Sequence, residues 1–504
     1  MKYILAHDMG TSGDKATLFT TDGVLYKSVV ASYSCSYGKE NQVEQNPEEW
    51  YAAVCSASRE LLKDEDPSDI LGIGFSGQMM GAVLLGKKGE LLRPAIIWAD
   101  QRAVRETEWI RQQIGEERFY QIAGNRNNPT NSIAKLLWVK RHEELPIEKM
   151  LSCKDYLIYR LTGQMGMDYS DASGTGAFDI RAFQWSEEII SCLGIEKSIL
   201  PELQASVELA GKVTASAARD CGLLEGTPVY RRCGDGAAAT VGAGMEKDGD
   251  CYCCLGSSAW VACKDKEALL DKEKRTFNLA GIEKGSVFPI GTMQAAGVSY
   301  NWMRDQLCLA EKQTLKDGES IYSCINGEIA RIPAGANGVM YLPYLTGERS
   351  PWWNDALQGA FLGLRAESTH GDMLRAVMEG ISMNLNLIFQ VLRQRHDFTE
   401  IRVMGGCAKE PLWRQMLADM FGVPVWKTNY LEEACSMGAA VAAGIGAGIY
   451  QDVTAIRQFL KTDGICEPDW EKHAIYQKQT EQFREVSECL SQFYRNSAEK
   501  ESLS

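Results

Sequence analysis

The feature that most narrows the fold is a strand–turn–strand unit that occurs twice. Tyr3-Ile4-Leu5-Ala6 opens a buried strand that ends on Asp8; Gly10, Thr11, Ser12 and Gly13 make a tight turn, and Ala16–Thr20 runs back. Near residue 250 the pattern returns. Asp250–Leu255 is a strand, Gly256-Ser257-Ser258 a turn, and Ala259–Lys264 a second strand. The likeness is one of structure, not of letters. A unit that opens each half predicts two related α/β domains, 1–245 and 246–504. The 504 residues suffice for two or three separate cores.

Other elements follow from local signals. Leu25–Ser32 continues the first meander after a turn at Asp22-Gly23. Asn46 caps a helix with Pro47 at its first position, running to about Leu62. Ile70–Gly74, Val83–Leu85, Ala95–Trp98 and Val229–Arg232 read as strands, and Val104 to Glu225 as mostly helical. From Asp469 to Arg495, Tyr476, Phe483, Val486, Leu490 and Phe493 form one apolar helical face, read as docked on the body.

Composition excludes several classes. A net charge of −14 leaves no surplus of cations for non-specific nucleic-acid binding. The most apolar stretch, Met437–Ile449, is too short and too rich in small residues to span a membrane. The N-terminus lacks a signal-peptide pattern, so a cytoplasmic protein is expected. The 16 cysteines are scattered, with no Cys or His pairs at zinc-knuckle spacing, and read as free thiols. The five histidines form no cluster in sequence, and His7 points to the opposite strand face from Asp8.

The first turn is not a Walker loop, which needs Gly-Lys-Ser/Thr opening onto a helix, and no Rossmann fingerprint is present there. It reads as a hairpin cradle, in which glycines let backbone N–H groups approach an anion and the Thr11 and Ser12 hydroxyls donate to it. Asp8 behind such a phosphate would repel it unless Mg²⁺ lay between; otherwise Asp8 serves the turn alone. The hairpin at Gly256-Ser257-Ser258 offers a second clamp. A third glycine site, Gly405-Gly406, joins the strand Ile401–Met404 to a helix over Pro411–Phe421; it either lets a flat base lie on backbone or simply turns the corner between strand and helix. Asp235, in Cys233-Gly234-Asp235-Gly236 before an Ala-rich segment, is either a helix cap or a carboxylate that orients a hydroxyl and takes its proton.

In this order the motifs resemble the FGGY carbohydrate kinases, most closely the xylulokinase branch. The resemblance spans nearly the whole chain. It includes Asp8–Gly13, Gly77-Gln78-Met79, Trp98-Ala99-Asp100-Gln101-Arg102, Lys154-Asp155-Tyr156, Asp168–Thr175, Gly234-Asp235-Gly236, Leu342–Arg349 and Gly359–Leu364 with Ala376–Glu379. It implies an α/β fold of two actin-like (ribonuclease H-like) domains flanking a central cleft, with sugar mainly on the first and ATP on the second. It implies ATP and Mg²⁺ as cofactors and a small ketose as substrate, and a homodimer is compatible with it. By similarity Asp8 organises the metal, Gly10, Thr11, Ser12 and Lys15 meet the β/γ-phosphates, and Gly256 and Ser257 oppose them. Gly405 and Gly406 bound the adenosine, Asp235 is the base, and Gln78, Met79, Met80, Trp98 and Asp100 line the sugar pocket with it. Two positions depart from that branch: Met80 stands where it has His, and Gly236 where it has Asn. Another ketose such as ribulose, a polyol such as erythritol or glycerol, or a sugar acid such as gluconate is therefore an alternative substrate. An actin- or Hsp70-like ATPase would share the hairpins but not Gly77–Arg102 or the Asp235 motif.

Overall fold

The computed structural model of the chain describes residues 1–502, except Glu40, Arg232 and Asp317. Strands β1 (Tyr3–Met9), β2 (Gly13–Thr20) and β3 (Leu25–Ser32) form the expected antiparallel meander. Strand β4 (Ile70–Gly77) runs parallel beside β1. Strands β5 (Leu209–Lys212) and β6 (Pro228–Tyr230) extend the sheet, β6 parallel to β4 and β5 antiparallel at the edge. The short β7 (Cys233–Gly234) pairs with the end of β4. The strand expected over Val229–Arg232 thus stops at Tyr230, and Arg232 lies outside the described residues. The order across the sheet is β5-β6-β4-β1-β2-β3.

The second sheet repeats this plan. It contains β8 (Cys251–Leu255), β9 (Ala259–Cys263), β10 (Phe277–Ala280), β11 (Val287–Met293), β12 (Ile401–Met404), β13 (Val425–Thr428) and β14 (Thr462–Cys466), in the order β10-β11-β9-β8-β12-β13-β14. In each sheet the opening strand has an antiparallel hairpin partner on one side and two parallel strands on the other. An antiparallel strand closes the far edge of each. This is the duplicated actin-like, ribonuclease H-like arrangement. In both sheets the carboxyl ends of the parallel strands carry the loops described below, the usual ligand side of α/β sheets.

Strand parity decides what Asp8 faces. Tyr3, Leu5 and Met9 join the core that contains Trp50 and Val54 of helix α1 (Pro47–Leu61). Ile4 and Ala6 point the other way, into a core shared with α2 (Asp235–Gly242), part of the second sheet and a later Ala-rich helix. With a period of two, Asp8 joins Ile4 and Ala6, while His7 faces α1. There the buried His7 Nδ1 meets Asp14 Oδ2 at 2.7 Å and stacks on Phe75. His7 is structural, as its parity implied. Helix α1 starts as predicted, with the Asn46 side chain accepting from Glu48 N–H.

Four further helices complete the frame: α3 (His370–Leu392), α4 (Pro411–Phe421), α5 (Ala434–Gly446) and α6 (Trp470–Ser502). The Ala/Gly content of α2 and α5 has a packing cause, because the two helices cross backbone to backbone. A Cβ on Gly242 would lie 1.8 Å from Ala434 O, and one on Gly438 2.0 Å from Ala238 O. The segment closest to a membrane span in composition is therefore the helix at the junction of the two lobes. Among the described residues no helix is long and apolar enough to cross a membrane.

Helix α6 docks on the second lobe with Tyr476 and Phe483 fully buried, but Phe493 is 59% exposed and Tyr494 takes the inward place. Tyr494 lies eighteen residues after Tyr476, a whole number of turns at about 3.6 residues each, whereas Phe493 falls about 100° short. The region from Val104 to Glu225 is helical but interrupted by two-residue strand pairs such as Met167–Asp168 with Leu203–Gln204. Such short bridges leave no period in the sequence.

Candidate active site

Asp8 is the penultimate residue of β1, beside Lys15 of β2 and Ser76 of β4, its register partners. Burial pushes its carboxyl up to about 6; Asp14 adds repulsion, and Ser76 and Lys15 partly offset both. The buried Ser76 hydroxyl lies against this carboxylate. Asp235 approaches from the start of α2. Its side chain opens onto the cleft while protein surrounds it, and this desolvation, with repulsion from Asp8, pushes it up to about 7. The two carboxylates, 227 residues apart in the chain, are therefore neighbours in the fold. The Cys435 thiol of α5 lies beside both: Asp8 and Asp235 each raise its pKa after burial, and its Sγ donates to Asp235 O at 3.6 Å.

The capping alternative for Asp235 does not match the geometry. Gly234 is the N-cap of α2, and Asp235 is the first helical residue, its Oδ1 accepting from the adjacent Gly236 N–H at 2.8 Å. The loop before it is held from behind. Gly234 N–H donates to Ser170 Oγ at 2.8 Å, and Ser170 Oγ donates to Asp168 Oδ2 at 2.6 Å. Asp168, Asp155 and Asp171 surround the buried Lys154 ammonium, each with an oxygen within 2.9 Å. Three carboxylates hold Lys154 charged against burial, while burial pushes Asp171 up to about 7. A Cβ at residue 234 would lie 2.4 Å from Met79 Cγ, so any larger residue there would displace the Met79 side chain.

The first hairpin is tied to the predicted sugar side. Gln45 Nε2 donates to Thr11 O at 2.6 Å, Gln78 Nε2 donates to Gln45 Oε1 at 2.8 Å, and Trp98 Nε1 donates to Thr11 Oγ1 at 2.9 Å. Gln78 Oε1 remains buried without a partner. Met80 holds a left-handed backbone (φ 60°), which the buried Lys135 steadies by donating to Met80 O and Thr130 O at 2.7 Å each. Burial lowers Lys135 to about 7. Asp100 is fully buried, and its carboxylate accepts from Val43 N–H and from the Arg102 backbone and guanidinium. That engagement makes it a fixer of the Trp98 loop. Lys15 reaches across to the second lobe, its Nζ 2.8 Å from Glu433 Oε1. Ser12 and Gly10 lie in the turn itself, where Gly10 N–H donates to Gly13 O.

The second hairpin borders a cavity of about 640 Å³ lined by Gly256, Ser257, Tyr300, Asn326, Gly406 and Trp413, among others. Gly297 N–H and Val298 N–H, at the start of helix Gly297–Gln306, donate to Gly256 O and Ser257 O. Gly405 has φ +91°, and a Cβ there would lie 2.4 Å from Leu255 O, so β8 and the loop after β12 touch only because residue 405 is glycine. Sequence reasoning missed Gln45, Ser170, Lys135 and Cys435 as supports, and Tyr300 and Asn326 as cavity walls. Each sits in an ordinary helix or strand pattern and is marked only by its distant neighbours.

Family models of the FGGY family of carbohydrate kinases match this chain in two pieces, the N-terminal domain over residues 3–242 and the C-terminal domain over residues 251–447. The xylulose kinase of Bacillus subtilis (strain 168) is 33% identical over 468 residues, covering 92% of each chain. Two solved structures from Lactobacillus acidophilus, a ligand-bound xylulose kinase and a gluconate kinase, superpose with TM-scores of 0.92 at 27% identity. They cover 98% of this chain and 100% and 99% of their own. With two sheets of repeated plan, two small-residue hairpins and two neighbouring carboxylates, the chain belongs to the FGGY family of carbohydrate kinases.

Proposed function

We propose that this carbohydrate kinase transfers the γ-phosphoryl of ATP to a hydroxyl of a small ketose, xylulose being the substrate that its relatives' names favour. The observation that carries the reading is the proximity of Asp8 and Asp235, close enough for one charge to raise the other's pKa and both beside the Cys435 thiol. The lobe of residues 1–245 takes the sugar and that of 246–504 the nucleotide.

Adenosine lies in the cavity bounded by Gly405, Gly406 and Trp413, and the phosphates run between the two hairpins. Backbone N–H groups and the hydroxyls of Thr11, Ser12 and Ser257 donate to phosphate oxygens, and Lys15 exchanges its Glu433 partner for phosphate. The surroundings of Asp8 are oxygen donors, its own carboxylate, that of Asp235 and the buried Ser76 hydroxyl, a set that suits Mg²⁺. When bound there, the ion would offset phosphate charge. Asp235 accepts a hydrogen bond from the substrate hydroxyl and takes its proton during in-line transfer. Most of the acceleration in such transfers is positioning and charge neutralisation, which the Ser170–Gly234 anchor serves. Gln78 Oε1, Met79 and Met80 wall the sugar, with Trp98 linking that wall to the phosphate hairpin. Closure of the lobes around the α2–α5 crossing excludes water, the competing acceptor.

A coupled ADP assay with xylulose, ribulose, gluconate, erythritol and glycerol tests the reading. The expected result is sugar-dependent ADP release with the highest kcat/KM for xylulose. The second reading, gluconate, rests on Met80 and Gly236, and a highest kcat/KM for gluconate would select it. ATP turnover that ignores every sugar would overturn both.

A further inference from the structure

Away from the cleft, segments distant in sequence bring a thiol, a carboxylate and an imidazole together. Cys308 is the N-cap of helix Leu309–Thr314, Glu311 lies in its first turn, and His370 opens α3. One ligand atom from each lies within 4.8 Å of the other two. Glu328, on helix Ile321–Ile329, closes a further side: its Oε1 is 3.1 Å from His370 Nδ1, and Glu311 Oε1 is 3.5 Å from the same nitrogen.

This cluster is short of a cation. Glu311 Oε2 and His370 Nε2 are both shut off from solvent with no hydrogen-bond partner. A buried polar atom left in that state costs about 1–3 kcal/mol. The neighbouring ammonium, Lys312, is committed to Asp305 at 2.5 Å. The Cys308 side chain is fully buried, whereas the His370 and Glu311 side chains retain 37% and 20% of their exposure, which leaves an access route for an ion.

We propose that Cys308, Glu311 and His370, with Glu328 as the fourth group, form a Zn²⁺ site. One sulfur, one imidazole nitrogen and two carboxylates are the donor set of a borderline-soft ion. Mg²⁺ and Ca²⁺ take oxygen ligands. Bonds of about 2.0–2.3 Å require the ligand atoms to draw together by about 1 Å, within the range of side-chain rotation. Short-range spacing could not reveal the site, because its ligands come from three helices. Its place gives it a consequence: helix Ile321–Ile329, which carries Glu328, also carries Tyr322, Ser323 and Asn326 of the 640 Å³ cavity wall. A bound ion ties that wall to the start of α3.

The test uses the full chain, stripped of metal by chelation and returned to chelator-free buffer. Zn²⁺ is titrated calorimetrically, and Co²⁺ serves as the spectroscopic probe of thiolate ligation. The expected result is one Zn²⁺ per chain and a thiolate-to-Co²⁺ charge-transfer band. Affinity should fall at least about tenfold in Cys308→Ser and in His370→Gln, and the band should vanish in Cys308→Ser but persist in Cys324→Ser, an exposed thiol nearby. His370→Gln lies at a solvent-reachable helix start and leaves the core intact, so it decides the matter even if Cys308→Ser misfolds. Equal Zn²⁺ binding by wild type and variants, or none by any of them, would overturn the site. Stoichiometry and absorbance do not depend on which sugar the enzyme phosphorylates.

Discussion

Asp235→Asn separates the chemistry of this site from its architecture. The amide keeps the shape of the carboxylate and an oxygen to accept the 2.8 Å hydrogen bond from Gly236 N–H, and Gly234, not residue 235, caps the helix. What is lost is the group that takes the proton. General-base catalysis contributes about 10²–10⁴ in rate, or about 3–5 kcal/mol at roughly 1.4 kcal/mol per decade, so kcat should fall by two to four decades. ATP affinity, measured by intrinsic fluorescence quenching, should stay within about threefold, because the nucleotide cavity is lined by other residues. Stability gives an independent sign. Asp235 is raised from 3.8 to about 7 in the folded chain, so between those values the folded state holds a proton that the unfolded state has released. Its contribution to stability is full below pH 3.8 and is lost as pH rises through about 7. The variant should therefore lose less stability than wild type between pH 5 and 8 in urea melts. For the same reason wild-type activity should rise with pH across that interval as Asp235 ionises. A variant that turns over sugar within about fivefold of wild type would refute the assignment of the base.

Two other perturbations probe the supports. Ser170→Ala leaves the buried Gly234 N–H without an acceptor, a loss of about 1–3 kcal/mol in denaturant unfolding, and should lower kcat with little change in the KM for ATP; unchanged stability and kcat would remove the anchor. Gly438→Ala places a methyl 2.0 Å from Ala238 O at the α2–α5 crossing and should cost about 1–3 kcal/mol or more through forced separation of the helices; a melting temperature equal to wild type would show that the lobes yield there freely.

How much of this was legible beforehand varied with range. Both hairpins, the α1 cap, the glycine turn after β12 and the tail helix are written in neighbouring residues: alternation, a capping Asn before Pro, small residues at a turn, a stripe at helical spacing. The repeat pointed to two lobes for the same reason. The end of α6 departs from the apolar stripe, since about five full turns from Tyr476 bring Tyr494 inward and leave Phe493 exposed. The middle of the chain is less helical than its composition suggests, since two-residue strands carry no period.

The sequence by itself determined the local pieces and the parity that turns Asp8 toward the junction and His7 away from it, because strand direction and side-chain alternation depend only on adjacent residues. It named Asp8 as a carboxylate at a strand end and Asp235 as one at the start of an Ala-rich helix. Only the tertiary structure decided that they meet, that Ser170 and Lys154 brace one of them, that Asp100 is consumed by Arg102, and that a thiol, an imidazole and two glutamates gather on the second lobe. Those facts arise from contacts between segments up to hundreds of residues apart. Burial and charge at such contacts are set by packing, which no short window of sequence contains.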